Sequence, residues 1–443
     1  NKFSYFPSAA FAWRINEEEF MKDFTMISNL KLRLGWGQTG NQGINPYATL
    51  PVYSSTQYTY GSTISSGLYI SNLKNLQLKW ENSQQTNLGI DVGFFNNRLN
   101  IVADIYKKRS KDMLIYKNLP PSTGFTKTWV NFGEVSNKGF ELSVDAALVN
   151  TKSWNVNLGG SFSLNRNKIS KLGLPESPYG YVQYFGTNIH NDGDIQSPAN
   201  TFIEGKPIGL FWGYKTAGVY QSEDEINAWI DQMEKAQGSR NENFLFGVKP
   251  KPGDIIFVDH NNDGEINQLD KQIIGNPNPD FVWGINGDIS FKNFNLSFLF
   301  NGVQGRDILN ANLNRETTLS GDYYNIRSSA WEGRWTGPGT SNYYPRAYMS
   351  IPYRNQVVDR WVEDGSYIRL SNITLGYTWK FKTCKYIQDL KLFISGNNLL
   401  TFTDYSGFDP EVDSFAGDSS RMGIDNNSYP STKSWRFGIN INF

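Results

Sequence analysis

The chain has 443 residues, 42 basic and 42 acidic side chains, two histidines and one cysteine. Zero net charge, with a single basic run, Lys107-Lys108-Arg109-Ser110-Lys111, that reads as a solvated loop, excludes an electrostatic footprint for nucleic acid. The lone Cys384 excludes an intramolecular disulfide framework, and His190 with His260 falls short of a histidine zinc site.

No run of about 18 apolar residues is present, so no membrane-spanning helix is expected, whereas a transmembrane β-strand needs only about 9–11 residues with alternate ones apolar. In chain order, Phe3 to Ile15 and Leu30 to Trp36 open the strand pattern. The chain starts inside that first segment without an initiator Met, a charged leader or an apolar signal, which implies that the polypeptide begins upstream. From Asn87 to Phe94, Leu88, Ile90, Val92 and Phe94 point one way while Asn87, Gly89, Asp91 and Gly93 point the other. Such two-residue alternation means strand. Leu99, Ile101, Ala103 and Ile105 repeat it beyond the turn Phe95-Asn96-Asn97-Arg98, whose asparagines suit a short hairpin. Next come Phe140 to Ala146 and Trp154 to Leu164, joined around Asn150-Thr151-Lys152, then Trp283 to Phe291 and Phe294 to Phe300, joined at Lys292-Asn293. Ile373 to Phe381, Leu390 to Ile394 and Trp435 to Phe443 close the set, which is about eleven or twelve strands in the length range of an outer-membrane barrel. The chain ends on an aromatic strand residue, as a closed barrel does. Ser222 to Gln237 is the best helical segment, opening on Ser-Glu-Asp-Glu with Ile226, Trp229, Ile230 and Met233 at helical spacing.

Connections fall into two classes. Several are two to four residues, while 40–82, 172–280, 304–366 and 401–432 are long and rich in Gly, Asn, Tyr and Pro. Short turns on one rim and long loops on the other is the asymmetry of outer-membrane barrels, with the long loops outside the cell. Trp13, Trp36, Trp80, Trp154, Trp283, Trp379 and Trp435 stand at strand ends, as interfacial girdles require. The competing reading makes the same aromatics the core of a soluble β-protein.

Gly35-Trp36-Gly37-Gln38-Thr39-Gly40 fits the dinucleotide pattern, but Asn41-Gln42-Gly43-Ile44-Asn45-Pro46 cannot begin the helix that binds a pyrophosphate. These glycines are expected to permit a strand exit and a sharp loop entry. The segment from Asp259 to Asp270 carries the strongest chemical pattern: Asp259, Asn261 and Asp263 at positions 1, 3 and 5, Gly264 at 6, Glu265 offering its carbonyl at 7, Asn267 at 9 and Asp270 at 12. That spacing wraps oxygen ligands around Ca2+, which would rigidify a long extracellular loop. Against it, the flanks read as strand, and a plain Asx-turn loop explains the same residues. Asp409-Pro410-Glu411-Val412-Asp413 invites a glycosidase reading, but no opposing acid and nucleophile are evident and a solvated loop or hinge is expected. The tyrosines from Tyr53 to Tyr69, Tyr323-Tyr324 and Tyr343-Tyr344 would serve sugars, peptides or a lipoprotein lid equally well.

Leu30 to Ile44, reading LKLRLGWGQTGNQGI, closely resembles a signature in the barrel of SusC/RagA-type TonB-dependent transporters of Bacteroidetes. Pro7-Ser8 with Trp13-Arg14 and Glu18-Glu19-Phe20, Trp80-Glu81 leading into Gln85 to Gly89, Asn137 to Glu141, and Pro252-Gly253-Asp254 running to Gly275-Asn276-Pro277 follow in family order. The resemblance covers essentially residues 1–443. It implies the C-terminal part of an all-β transmembrane antiparallel barrel of about 22 strands, without its plug or TonB box, in a Gram-negative outer membrane. It further implies import of a glycan or peptide, a SusD-like surface lipoprotein partner, energy from a TonB complex, and a dimer of such transporter–lipoprotein pairs. Outer-membrane lipid would surround the strands, and no enzyme activity is expected. The rivals are a barrel acting as adhesin or assembly platform, and a soluble β-rich carbohydrate-binding protein.

Overall fold

A computed structural model describes residues 3–43, 50–119, 121–125, 127–177, 179–189, 195–319, 325–348, 353–381 and 386–443. His190, Cys384, Ile44, Asn45, Pro46, Tyr323 and Tyr324 lie outside the described residues. Two compact units are formed: residues 1–144 with 165–175 and 204–206, and residues 145–164 with 176–203 and 207–443.

Among the described residues, eleven long strands are β1 (Ser8–Arg14), β2 (Ile27–Asn41), β3 (Glu81–Phe94), β4 (Leu99–Lys111), β5 (Glu134–Asn150), β6 (Trp154–Lys171), β7 (Phe281–Phe291), β8 (Phe294–Gln304), β9 (Tyr367–Lys380), β10 (Asp389–Thr403) and β11 (Ser434–Asn442). Each is hydrogen-bonded to the next in the chain, a meander from β1 to β11. β1 is shorter than the alternation from Phe3 predicts, since Pro7 has no N–H to give to a ladder. β2 is longer, and it absorbs the glycine run: Gly35, Gly37 and Gly40 lie inside the strand, paired with Asn87, Gln85 and Asn82, not at a strand exit. The basic run 107–111 is likewise the end of β4 rather than a loop, with Lys107 opposite Thr86 and Lys111 opposite Asn82. Between β3 and β4, Phe95, Asn96 and Asn97 all adopt left-handed φ near +55 to +58°, which asparagine tolerates better than most residues. Lys292 at φ +53° turns β7 into β8 within two residues.

In the second unit the long connections are not irregular. Strands Gln183–Phe185, Asn200–Ile203, Leu210–Gly213 and Gln272–Gly275 form a four-stranded sheet in that order, and Thr216–Val219 pairs with Ile255–Phe257. Asp307–Asn310 is flanked by Val362–Asp364 and Ile424–Asp425. The helix α1 (Glu223–Gln237) appears where its spacing predicts: Ser222 caps it by accepting from the Glu225 N–H, and Gly238 ends it in the left-handed region at φ +76°. Its Ile226 and Ile230 are fully buried, and Trp229 stacks on Phe244 at 3.9 Å. These pieces share one core with Phe211, Tyr214, Phe257, Leu309, Val357 and Ile424. Burying each such side chain contributes about 1.5–3 kcal/mol, which offsets the entropy of ordering connections this long.

Candidate functional site

The long strands carry an inside-out pattern. In the first unit Phe11, Leu34, Leu88 and Ile105 are direct cross-strand neighbours, and all four are exposed, from 40% at Leu88 to 59% at Phe11. The second unit repeats it with Phe294, Tyr377, Leu392 and Ile439 in register, three of them exposed. At the turn end of these strands Trp154 packs on Phe291 at 4.3 Å, Phe294 on Tyr377 at 4.7 Å, and Trp379 stacks on Phe381. Trp13, Trp154, Trp379 and Trp435 are exposed at strand ends, whereas Trp36 sits inside β2 and half-buried.

The opposite face is polar and internally paired. Arg33, Gly89 and Asp104 lie in one register row, and because Gly89 has no side chain, Arg33 reaches across it to Asp104 at 2.8 Å while holding Asp91 at 2.7 Å. A Cβ on Gly89 would stand 2.2 Å from Asp104 and 2.6 Å from the guanidinium. Ser83 bonds Ser110 at 2.6 Å, and Tyr106 donates to Asn165, which donates to Asn137. In the second unit Asn372, Thr374, Ser395 and Asn397 form a similar ladder.

The acidic segment 409–413 is not the solvated loop the sequence suggests. Arg369 of β9, with a side chain only 3% exposed, donates to Asp409 at 2.5 Å, Glu411 at 2.7 Å, Ser431 at 3.0 Å and Thr401 at 3.1 Å. Tyr367 donates to Glu411 at 2.5 Å. Burial pushes the Asp409 carboxyl up, but bonds from Ser431, the Glu411 N–H and Arg369 outweigh it and hold the group down at about 2. No sequence spacing connects Arg369 with a carboxylate forty residues later, so only the fold reveals the pair.

The 259–270 segment folds as nested Asx turns. Asp259 accepts from the N–H groups of Asp263 and Gly264, Asn261 and Asp263 accept from the next odd positions, and Gly264 takes φ +76°. Asp270, fully buried, accepts from His260 and Asn267 at 2.8 Å each, while Asn267 caps the Leu269 N–H. Burial moves the Asp270 carboxyl above its ordinary range, with those backbone donors pulling the other way. Glu265 offers its backbone only by position. The carboxylates of Asp259, Asp263 and Asp270 thus accept from the loop's own backbone, and among the described residues no three Asp, Glu, His or Cys side chains converge as a metal group. For the glycine run, no dinucleotide-binding turn forms, because residues 35–40 are strand.

The chain matches the family model described as TonB dependent receptor-like, beta-barrel, over residues 1–241. It is 33% identical to the TonB-dependent receptor P3 of Formosa agariphila across the whole chain and 42% of that protein, and 31% identical to the TonB-dependent receptor SusC of Bacteroides thetaiotaomicron, across the whole chain and 40% of it. Its fold superposes on the RagAB peptide transporter structure with a TM-score of 0.75 at 24% identity, covering 99% of this chain and 43% of that one. The chain thus spans less than half the length of the relatives it matches. The matched family is one of receptors and transporters, not of enzymes. Inside-out strands, an aromatic row at the turn ends and a family match over more than half the residues agree: the chain belongs to the TonB-dependent receptor-like β-barrel family, and its strands are those of a barrel in the Gram-negative outer membrane.

Proposed function

We propose that this chain contributes part of the barrel of an outer-membrane importer that takes up a polar oligomer, a glycan or a peptide, working with a SusD-like surface lipoprotein and drawing energy from a TonB complex. The observation that carries this reading is the pair of opposed strand faces: an exposed apolar row from Phe11 to Ile105 opposite a face of paired Arg, Asp, Asn, Ser and Tyr. Water would penalise the first face, and lipid would penalise the second. A soluble carbohydrate-binding protein would need the reverse arrangement.

The reading is tested on the full-length receptor in its host, by membrane fractionation and purification in detergent. The expected result is recovery from the outer membrane together with a SusD-like lipoprotein and loss of oligomer uptake when TonB is absent; recovery from the soluble fraction would overturn it. Leu34→Arg sharpens the test. A charge on the lipid face near mid-strand costs about 2–4 kcal/mol, so the heat-resistant folded fraction in SDS is expected to fall, while a water-exposed site would change it by no more than about 0.5 kcal/mol.

Ca2+ at Asp259, Asn261, Asp263, Glu265, Asn267 and Asp270 is a further part of this proposal, supported by the one-to-twelve spacing and by Gly264 at φ +76°. Millimolar-class affinity would suffice for an extracellular loop. Calcium is expected to slow proteolysis near Asn262 relative to EGTA; equal protection would leave a metal-free Asx loop.

A further inference from the structure

Within the second unit, the strand Thr216–Val219, the turn at Asn342 and the 3-10 turn Asp359–Trp361 surround an open cleft of about 350 Å³, walled by Thr216, Gly218, Asn342, Tyr343, Asp359 and Arg360. That size is at the small end of ligand sites, which run from about 300 to 1,000 Å³. Tyr343 and Arg360 are shared with a smaller cavity lined also by Gln356, whose side-chain oxygen is buried without a hydrogen bond.

Three polar wall residues, Asp359, Asn342 and Arg360, are only partly committed. Asp359 uses Oδ1 to accept both the Thr216 N–H and the Thr216 hydroxyl, at 3.2 and 2.7 Å, and no donor among the described residues meets Oδ2. Asn342 uses Oδ1 to accept the Val219 N–H at 3.2 Å, which leaves its Nδ2 as a donor. Gly218 makes room for this amide: a Cβ there would lie 2.4 Å from Asn342 Oδ1. Arg360 donates to the Tyr343 carbonyl and lies 4.3 Å from the centre of the Tyr343 ring, but among the described residues it forms no ion pair with a carboxylate. Contrast Arg369 and Arg346, which form ion pairs with Asp409 and Asp254. Burial lowers the Arg360 pKa below the ordinary arginine value, outweighing the opposite pull of Tyr343 and Asp359. Tyr343 keeps half of its surface exposed beside it.

We infer that this cleft is a binding subsite for an acidic sugar unit of a glycan, with the sugar carboxylate on the Arg360 guanidinium and ring hydroxyls on Asp359 Oδ2 and Asn342 Nδ2. The inference rests on the reading of the chain as an importer of polar oligomers and specifies the substrate class. Arginine's planar fork matches a carboxylate and forms the stronger, charge-assisted kind of hydrogen bond. A peptide is disfavoured because the N–H groups of Thr216 and Val219, which a peptide strand would need at this edge, are taken by Asp359 and Asn342.

The experiment uses the purified full-length receptor in detergent and saturation-transfer NMR with glucuronate, galacturonate and N-acetylneuraminate, against glucose, galactose and a Glu-Glu dipeptide. At least one acidic sugar is expected to bind, to compete with no neutral parent, and to weaken with added salt; Arg360→Gln is expected to weaken it roughly tenfold or more. Arg360→Lys, which keeps the charge without the fork, should recover only part of the affinity. Binding of none of the acids, equal binding of the neutral sugars, preference for the dipeptide, or affinity unchanged in Arg360→Gln would each overturn the inference. Binding needs no TonB, so a failure of uptake or of outer-membrane recovery would count against the importer reading alone.

Discussion

Arg369→Met is expected to free the last long connection from β9. The guanidinium is almost fully buried and binds Asp409, Glu411, Ser431 and Thr401 together, so its removal strands two carboxylates, one of them only 4% exposed. Breaking one partner out of such a pair costs about 3–5 kcal/mol. Trypsin cleavage at Arg421 and amide exchange at Ser431, whose N–H donates to Asp409 at 2.9 Å, are the measurements. Faster cleavage and exchange in the variant are expected, whereas wild-type rates would mean that the network contributes nothing net. The pH dependence has a fixed sign. The folded Asp409 pKa lies near 2, below its ordinary 3.8, so the stabilisation is complete above about pH 4 and is lost as pH falls from there through about 2. The gap between wild type and Arg369→Met is therefore widest at neutral pH and closes in acid.

Phe211→Ala is expected to loosen the lobe built from the long connections of the second unit. Phe211 is fully buried at the centre of the four-stranded sheet, between Asn200 and Gly275 in register. Its ring fills the space above two glycines: a Cβ on Gly275 would lie 2.9 Å from it and one on Gly423 3.2 Å. Deleting a buried phenylalanine side chain costs about 3–5 kcal/mol, since packed neighbours collapse only partly into the hole. Proteolysis at Lys215 and Lys249 and a lower first thermal transition should follow, while detergent-extracted strands keep their β-type circular dichroism. A variant as protease-resistant as wild type would show that the connections hold together without this core. The two effects report different things: the first an electrostatic anchor, the second the apolar core that gives long connections a fold of their own.

Strands were legible in the sequence because a pleated strand repeats every two residues, and lipid on one side with polar neighbours on the other imprints that period directly. Leu88, Ile90 and Val92 against Gly89, Asp91 and Gly93 carry it without any long-range knowledge. α1 was legible for the same reason: its cap, its spacing and Gly238 are local. The limits of β1 and β2, the strand placement of 107–111, and the glycine run inside β2 were not, since a ladder continues wherever a partner supplies hydrogen bonds, here Gln85 to Glu81 opposite Gly37 to Asn41.

What the sequence by itself determined is therefore the class of fold, the alternation of faces and the family, all of which depend on local period or on long ordered motifs. Only the tertiary structure decided that the long connections share a core and that Asp409 is a buried partner of Arg369. It also decided that Arg360 lines an open cleft beside Asp359 and, among the described residues, forms no ion pair there. Burial and ion pairing are properties of residues brought together from distant positions, and a charged side chain's free energy is set by what surrounds it rather than by its neighbours along the chain.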